Sequence, residues 1–485
     1  MWLLAVAAGL LSACTEAQPQ AGAIGGAFGG AGVAQQKPQD RPGPRAVVSD
    51  AQRADGNVVA AAGENAVYNY APSVMVENGR VRMWWCSQLI SAVPPGDDVL
   101  YAEASALGGP YTTGLAVYGG GGIGFDARHT CDPSVIKVRD SYYLYYTGAP
   151  NDHGSGNAIG IGYSPDGVAW TRANNGNPII TSSNEVMRAN TYGAGQPSAL
   201  YLDGWVYLMF TDTNGRAAKD NGAGQFVLRS KDPAFVHDVE TLGPKGFTPG
   251  YGRTRSVVEA FSADWMWVDA LGAFAIAHQT EGGTTITFWN RDFTANPYQP
   301  VLIPGPWAEG PGLARSNEGH APISQVDPCD RIPLDVIRAT RNRAEPTDLK
   351  HFGLDLKDAG GCADRASTLR TLNGYAVPSP QRTLDVVAGG HVFRVDRRSV
   401  AEALGATVIG QRVRALDSIE PAARITVGAE AVRAPGRGIG LLLSGNRLHP
   451  VWPPEMLAAN ASRIVDVSPE KWDTYSTGPA IAVSR

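Results

Sequence analysis

Cys131-Asp-Pro-Ser-Val-Ile-Lys-Val-Arg-Asp-Ser-Tyr-Tyr-Leu-Tyr-Tyr-Thr-Gly148 is the stretch that decides the fold. A short apolar run (Val135, Ile136, Val138) and a second run, Tyr142 to Tyr146, flank the polar turn Arg139-Asp140-Ser141. Both runs are β-branched or aromatic, which is the signature of a β-hairpin. Asp132 stands before Pro133, whose fixed φ gives the first strand a stiff entrance.

The pattern recurs along the chain. Tyr70-Ala71-Pro72-Ser73-Val74 precedes Asn78-Gly79 and Val81–Cys86; Gly195-Gln196-Pro197-Ser198-Ala199 precedes Asp203-Gly204 and Trp205–Phe210. Ala263-Asp264-Trp265 precedes Leu271-Gly272 and Ala273–His278, and Gly319-His320-Ala321-Pro322 opens a weaker fifth copy. The place of Asp132 is thus expected to be held in turn by Ala71, Asp132, Gln196, Asp264 and His320, at spacings of 61, 64, 68 and 56 residues. Second hairpins follow Asp132 (Ala158–Tyr163, Ser164-Pro-Asp-Gly167), Gln196 (Gln225–Arg229) and Asp264 (Thr284–Trp289). Two hairpins make a four-stranded unit too small to bury a core alone. Five such units at a near-constant period predict an all-β five-bladed β-propeller over residues 63–365.

With 485 residues there is room for a second domain. From about Ala366 the hairpins give way to a strand at Val392–Val395, a helix at Ser399–Gly405 and a strand at Val408–Ala415. A similar order follows at Ile439–Leu443, Pro453–Ala459 and Ile464–Val467. Residues 366–485 are read as a smaller C-terminal α+β accessory domain of two related halves, with docking to envelope components as its expected role. Net charge of −5 and 18% charged residues exclude a nucleic-acid-binding class.

At the start, Trp2–Leu11 is too short for a membrane span and reads as the core of a signal peptide. Leu11-Ser12-Ala13-Cys14 resembles the bacterial lipoprotein box, which implies lipidation at Cys14, export, and anchoring to the outer membrane or cell surface. Residues 15–62, rich in Ala, Gly, Gln and Pro, read as a disordered tether. Four further cysteines, Cys86, Cys131, Cys329 and Cys362, imply two disulfides, with three pairings open. Cys86 ends one blade's second strand and Cys131 starts the next blade's first, so both lie at one end. The favoured pairs are Cys86–Cys131 and Cys329–Cys362.

The Asp132-Pro-Ser-Val opening, the Tyr142–Tyr146 strand and the turn Ser164-Pro-Asp-Gly-Val-Ala-Trp170 resemble the five-bladed propeller glycoside hydrolases of the arabinanase and β-xylosidase kind. In those enzymes a first-blade Asp is the base, a second-blade Asp tunes pKa and orients substrate, and a third-blade Glu is the acid. The resemblance supplies Asp132 for the second role, whereas Ala71 and Gly195 stand at the other two places. It implies a polysaccharide or oligosaccharide partner. It also leaves open a Ca2+ ion in the channel beside His320, without requiring a cofactor.

Asp132, Gln196, Asp264 and His320 are therefore expected around one funnel, able to bind sugar hydroxyls or do acid–base work. Asp132, Asp264 and Glu318 are the candidate catalytic carboxyls; Gln196, His320 and Trp265 are candidate substrate contacts. Glu64, Asp126, Glu185 and Glu259 are loop carboxylates that could substitute. The functional expectation is a carbohydrate-active, glycoside hydrolase-like envelope lipoprotein. The alternatives are a carbohydrate-binding or assembly lipoprotein that has lost its acid and base, and a structural envelope protein without a ligand.

Overall fold

A computed structural model describes residues 43–63, 66–77, 79–151, 154–341 and 347–483. The signal segment, the lipobox Cys14 and Glu64 lie outside the described residues. The described chain is mostly β, arranged as several small, largely antiparallel sheets.

Three sheets each begin on a strand that the repeat analysis singled out: His129–Val138, Ala194–Leu202 and Ala263–Val268. From that strand each sheet steps outward through antiparallel neighbours, as in His129–Val138, Ser141–Ala149, Ala158–Ser164 and Thr171–Arg172. A larger sheet joins the remaining pieces. In it Ala66–Glu77 pairs on one side with Arg80–Leu89 and on the other, in parallel, with Gly312–Arg315. Gly312–Arg315 is followed outward by Ile332–Ala339, Leu349–Lys357 and then Ala54–Ala60. The tether expected over residues 15–62 is corrected at its end: Ala54–Ala60 and Val48–Ser49 both pair with Leu349–Lys357. Arg53 secures this edge by ion pairs to Asp335 and, at 2.8 Å, to Asp355.

Hydrogen bonds between the leading strands fix their true register. Ser73 Oγ accepts the N–H of Val135 (3.0 Å) and Ser134 Oγ that of Ala199 (2.8 Å). Ser198 Oγ accepts that of Trp265 (3.4 Å), and Asp264 Oδ2 that of Leu313 (2.7 Å). Asp264 is therefore the counterpart of Ser73, Ser134 and Ser198, two residues further on than expected. Counting back by two, the places equivalent to Ala71, Asp132 and Gln196 are Ser262 and Gly310.

The backbone agrees. Ala71, Asp132 and Gln196 have φ of 45°, 47° and 52°, each stands before a proline, and each sits in a β-bulge. Gly310, before Pro311, has φ of 59°. A non-glycine residue held left-handed costs on the order of 1–3 kcal/mol and persists only where its surroundings enforce it. Four of the five places thus share one left-handed entrance before a proline, strained at Ala71, Asp132 and Gln196 and relaxed at Gly310. The fourth, Ser262-Ala263, lacks the proline, and the strand Ala263–Val268 runs without a bulge. Gly312 takes the place of the serine because a Cβ there would meet Pro72 O at 2.0 Å, where the two strands pair directly.

Beneath these entrances lies Arg315, fully buried. Its guanidinium donates to Trp265 O (2.7 Å), Ser198 Oγ (3.3 Å) and Ser134 Oγ (3.0 Å), and it pairs with Asp264 Oδ1 at 3.1 Å. Further on, the carbonyls of Asn317, Glu318 and Gly319 accept the N–H groups of Lys137, Tyr201 and Trp267 at 2.7, 2.7 and 3.1 Å. Each of those donors lies five residues past Asp132, Gln196 or Ser262. The segment around Glu318 therefore crosses the opposite ends of the leading strands.

From Arg365 onward the chain forms two five-stranded sheets with the same topology. Tyr375–Pro378, Leu384–Ala388 and His391–Val395 make an antiparallel meander, flanked in parallel by Thr407–Val408 and Ala423–Ile425. Ala431–Ala434, Gly438–Leu443 and Arg447–Trp452 repeat it, flanked by Ile464–Asp466 and Ile481–Ala482. The strand expected over Val408–Ala415 is only Thr407–Val408; Arg414–Ser418 is a 3-10 turn.

Candidate functional site

Ala71, Asp132, Gln196, Ser262 and Gly310 surround one shallow hollow with the prolines that follow four of them. Beside it opens a cavity of about 530 Å3, which Asp132 and Gln196 share with Tyr68, Tyr192, Phe261 and Glu309. This is the size range of small-molecule sites, and the mix of aromatic faces with few convergent polar groups suits them.

Asp132 is 7% exposed. Burial pushes its carboxyl up to about 7, helped by the charges of Glu309 and Asp97 and opposed by the hydroxyls of Thr147 and Tyr192. Tyr192 Oη lies 3.4 Å from Asp132 Oδ2, while Oδ1 has no hydrogen-bond partner among the described residues. Asp132 therefore exchanges its proton near neutral pH.

Glu309 is the second carboxyl of the cavity. It immediately precedes Gly310, at the corrected fifth place, and accepts a hydrogen bond from Tyr68 Oη at 3.1 Å. Gln196 donates its backbone N–H to Thr147 Oγ1 (2.7 Å), and its amide oxygen accepts from Ser262 Oγ. The Cys86–Cys131 disulfide fixes the residue before Asp132, with a Cα–Cα distance of 5.1 Å. Cys329 and Cys362 are joined farther along.

The other expected site residues lie elsewhere. Asp264 lines the floor of the hollow but not the larger cavity, and its carboxylate is tied to Arg315 and to the N–H of Leu313. Trp265 is fully buried, stacked on Phe274 at 5.1 Å, with its indole N–H given to Ser198 O; it has no face for a sugar. Glu318 and His320 lie at the far end of the leading strands. His320 bonds Asp269 Oδ2 at 2.8 Å and Tyr201 O at 2.9 Å. Burial opposes its charge, but Asp269 outweighs burial and the imidazole titrates at about 9. Both ring nitrogens then donate, so this site does not fit a Ca2+ ion. Cys86, Asp97 and Cys131 also come close together, but the two sulfurs are bonded to each other.

The substitute loop carboxylates are equally engaged. Asp126 accepts from Tyr146 (2.8 Å) and Arg172 (2.7 Å), and Glu185 from the N–H groups of Arg216 and Arg253. Glu259 is an exposed partner of Lys219.

No family model matches the chain, and no curated protein matches it. Solved structures do. Zg3597, a family 117 glycoside hydrolase of the marine bacterium Zobellia galactanivorans, has 13% identity and a TM-score of 0.41 over 64% of this chain and 91% of its own. The α-L-arabinofuranosidase PaAbf62A of Podospora anserina, solved with cellotriose, has 14% identity and a TM-score of 0.39 over 66% and 100%. A glycosyl hydrolase from Bacteroides ovatus has 10% identity and a TM-score of 0.40 over 63% and 94%. These scores and identities are too low to carry a residue's role across. Any role must come from the cavity itself.

Proposed function

We propose that the chain is a five-bladed propeller, its last blade completed by Ala54–Ala60, that hydrolyses a glycosidic bond in the cavity above Asp132. The observation that carries this reading is that two carboxyls, Asp132 and Glu309, share one aromatic-lined cavity and that one of them is held near pH 7. Glycoside hydrolysis uses such a pair: one group protonates the leaving oxygen while the other activates water or attacks the anomeric carbon. Asp132, whose carboxyl burial pushes up to about 7, donates. Glu309 is the base or nucleophile. Tyr68 and Phe261 offer ring faces to sugar C–H groups, and Gln196 offers an amide to hydroxyls.

A binder without turnover is the second reading. It is favoured by Ala71, Gln196, Ser262 and Gly310, which leave four of the five equivalent places without an ionisable side chain. The two readings separate in one experiment. A glycan panel is screened for binding, and every hit is assayed for new reducing ends. Hydrolysis predicts release by the wild type and loss in Asp132→Asn with binding retained; a binder retains glycan but releases nothing.

Export and lipid anchoring at Cys14 are proposed from Leu11-Ser12-Ala13-Cys14 alone. Metabolic labelling with a fatty-acid probe tests this: label lost in Cys14→Ala supports it, and a chain that takes up none sinks it. The segment from Arg365 is proposed as an accessory domain for envelope docking, supported by its separate pair of repeated sheets. A pull-down of envelope fractions with and without residues 366–485 tests that role.

A further inference from the structure

Gly195 stands beside Gln196 at the entrance of the strand Ala194–Leu202. Gly195 is left without a side chain for a physical reason. A Cβ built there would lie 2.6 Å from Tyr192 Oη and 2.9 Å from Thr147 Oγ1. The phenol of Tyr192 already fills the space.

Tyr192 is firmly held. Its carbonyl accepts both the backbone N–H (2.8 Å) and the side-chain amide (2.9 Å) of Asn157, and its own N–H is given to Asn190 Oδ1 at 3.1 Å. Its ring meets Phe261 edge-on, with centroids 4.8 Å apart. That leaves the hydroxyl directed at Asp132 Oδ2, 3.4 Å away. Thr147 Oγ1 accepts the N–H of Gln196, and its hydroxyl lies within hydrogen-bonding reach of both Asp132 and the Tyr192 phenol. Since Asp132 Oδ1 has no partner among the described residues, these hydroxyls are what hold the carboxyl.

We infer that Tyr192 is a positioning residue: its phenol occupies the space beside Gly195 and, by hydrogen bonding to Asp132, orients that carboxyl. The inference rests on the reading of Asp132 as proton donor. The titratable groups around Asp132 are Glu309, Asp97, Tyr70, Tyr192 and His129. Burial and the two carboxylates raise the Asp132 pKa, and the hydrogen bonds of Thr147 and, more weakly, Tyr192 lower it, so removing the Tyr192 bond moves the pKa up. A proton donor works only below its pKa, so the basic limb of the rate profile must move to higher pH.

Tyr192→Phe and Gly195→Ala test this. The first removes the hydroxyl and keeps the ring against Phe261; the second pushes the hydroxyl away from Asp132. The Asp132 carboxyl is titrated by 13C NMR in aspartate-labelled protein, its signal identified by its loss in Asp132→Asn. This readout needs no turnover, so it stands even if no glycan is cleaved. The expected result is an upward shift of the Asp132 titration in both variants. With a cleaved glycan, the basic limb should shift in parallel, with kcat/KM reduced roughly three- to tenfold near neutral pH. An Asp132 titration that stays at the wild-type pH in folded Tyr192→Phe overturns the inference. Absence of hydrolysis alongside a shifted titration overturns only the hydrolytic reading.

Discussion

Asp264 accepts the backbone N–H of Leu313 at 2.7 Å, in the way that Ser134 accepts that of Ala199 at 2.8 Å. This bond gives Asp264 a structural part at the floor of the hollow. The same carboxylate meets the fully buried guanidinium of Arg315 at 3.1 Å. Burial lowers the Arg315 pKa and the Asp264 charge opposes that shift. Removing Asp264 would strand a buried cation. Asp264→Ala should cost about 3–5 kcal/mol of stability, measured by urea unfolding, because breaking a buried pair leaves its partner uncompensated. A loss below about 1 kcal/mol would mean that Arg315 is satisfied by its other hydrogen bonds.

His320 makes the opposite kind of prediction, one of pH. Its folded pKa, about 9, lies above the ordinary histidine value of about 6.5. A raised folded pKa adds stability that is fully present below about 6.5 and is lost as pH rises through about 9. Unfolding free energy measured between pH 6 and 10 should fall across that window. His320→Gln should flatten the fall. A slope unchanged in the variant would show that the His320–Asp269 pair contributes nothing.

The edge strand Ala54–Ala60 is the third test. A chain starting at residue 61 should be on the order of 3 kcal/mol less stable than one starting at residue 43. The loss follows from Asp335, 2% exposed, which loses Arg53 and keeps only His351 at 2.7 Å. Equal denaturation midpoints for the two truncations would mean that the strand is dispensable.

Much of this architecture was legible. The repeated X-Pro-Ser-apolar entrances at Ala71, Asp132 and Gln196 mark three equivalent leading strands, and the hairpin pattern after each gives their neighbours. What misled was the search for chemically active side chains at the remaining two places. Asp264 and His320 looked like counterparts of Asp132 because they are polar. The conserved physical feature was the backbone. Gly310-Pro311-Gly312-Leu313 repeats the entrance with both side chains removed, because Gly310 packs against Ala71 and Gly312 against Pro72 O. At Ser262-Ala263 no proline marks the entrance, so only a cross-strand hydrogen bond could fix the register. Glu309 could have been found from sequence as the residue before Gly310-Pro311, once that fifth copy was recognised. Tyr192 could not: its approach to Asp132 depends on a loop path that no local pattern encodes.

The most direct measurement compares two glutamates. On any glycan the protein cleaves, kcat is determined for Glu309→Gln and for Glu318→Gln under the same conditions. Glu309 lines the Asp132 cavity, whereas Glu318 lies beyond Arg315 at the far end of the leading strands. General acid–base groups typically contribute 10²–10⁴-fold. The expected result is a fall of roughly 10²–10⁴ in kcat for Glu309→Gln, with Glu318→Gln within about threefold of wild type. A Glu309→Gln variant of wild-type activity beside an inactive, folded Glu318→Gln would place the chemistry at the opposite end and contradict the assignment.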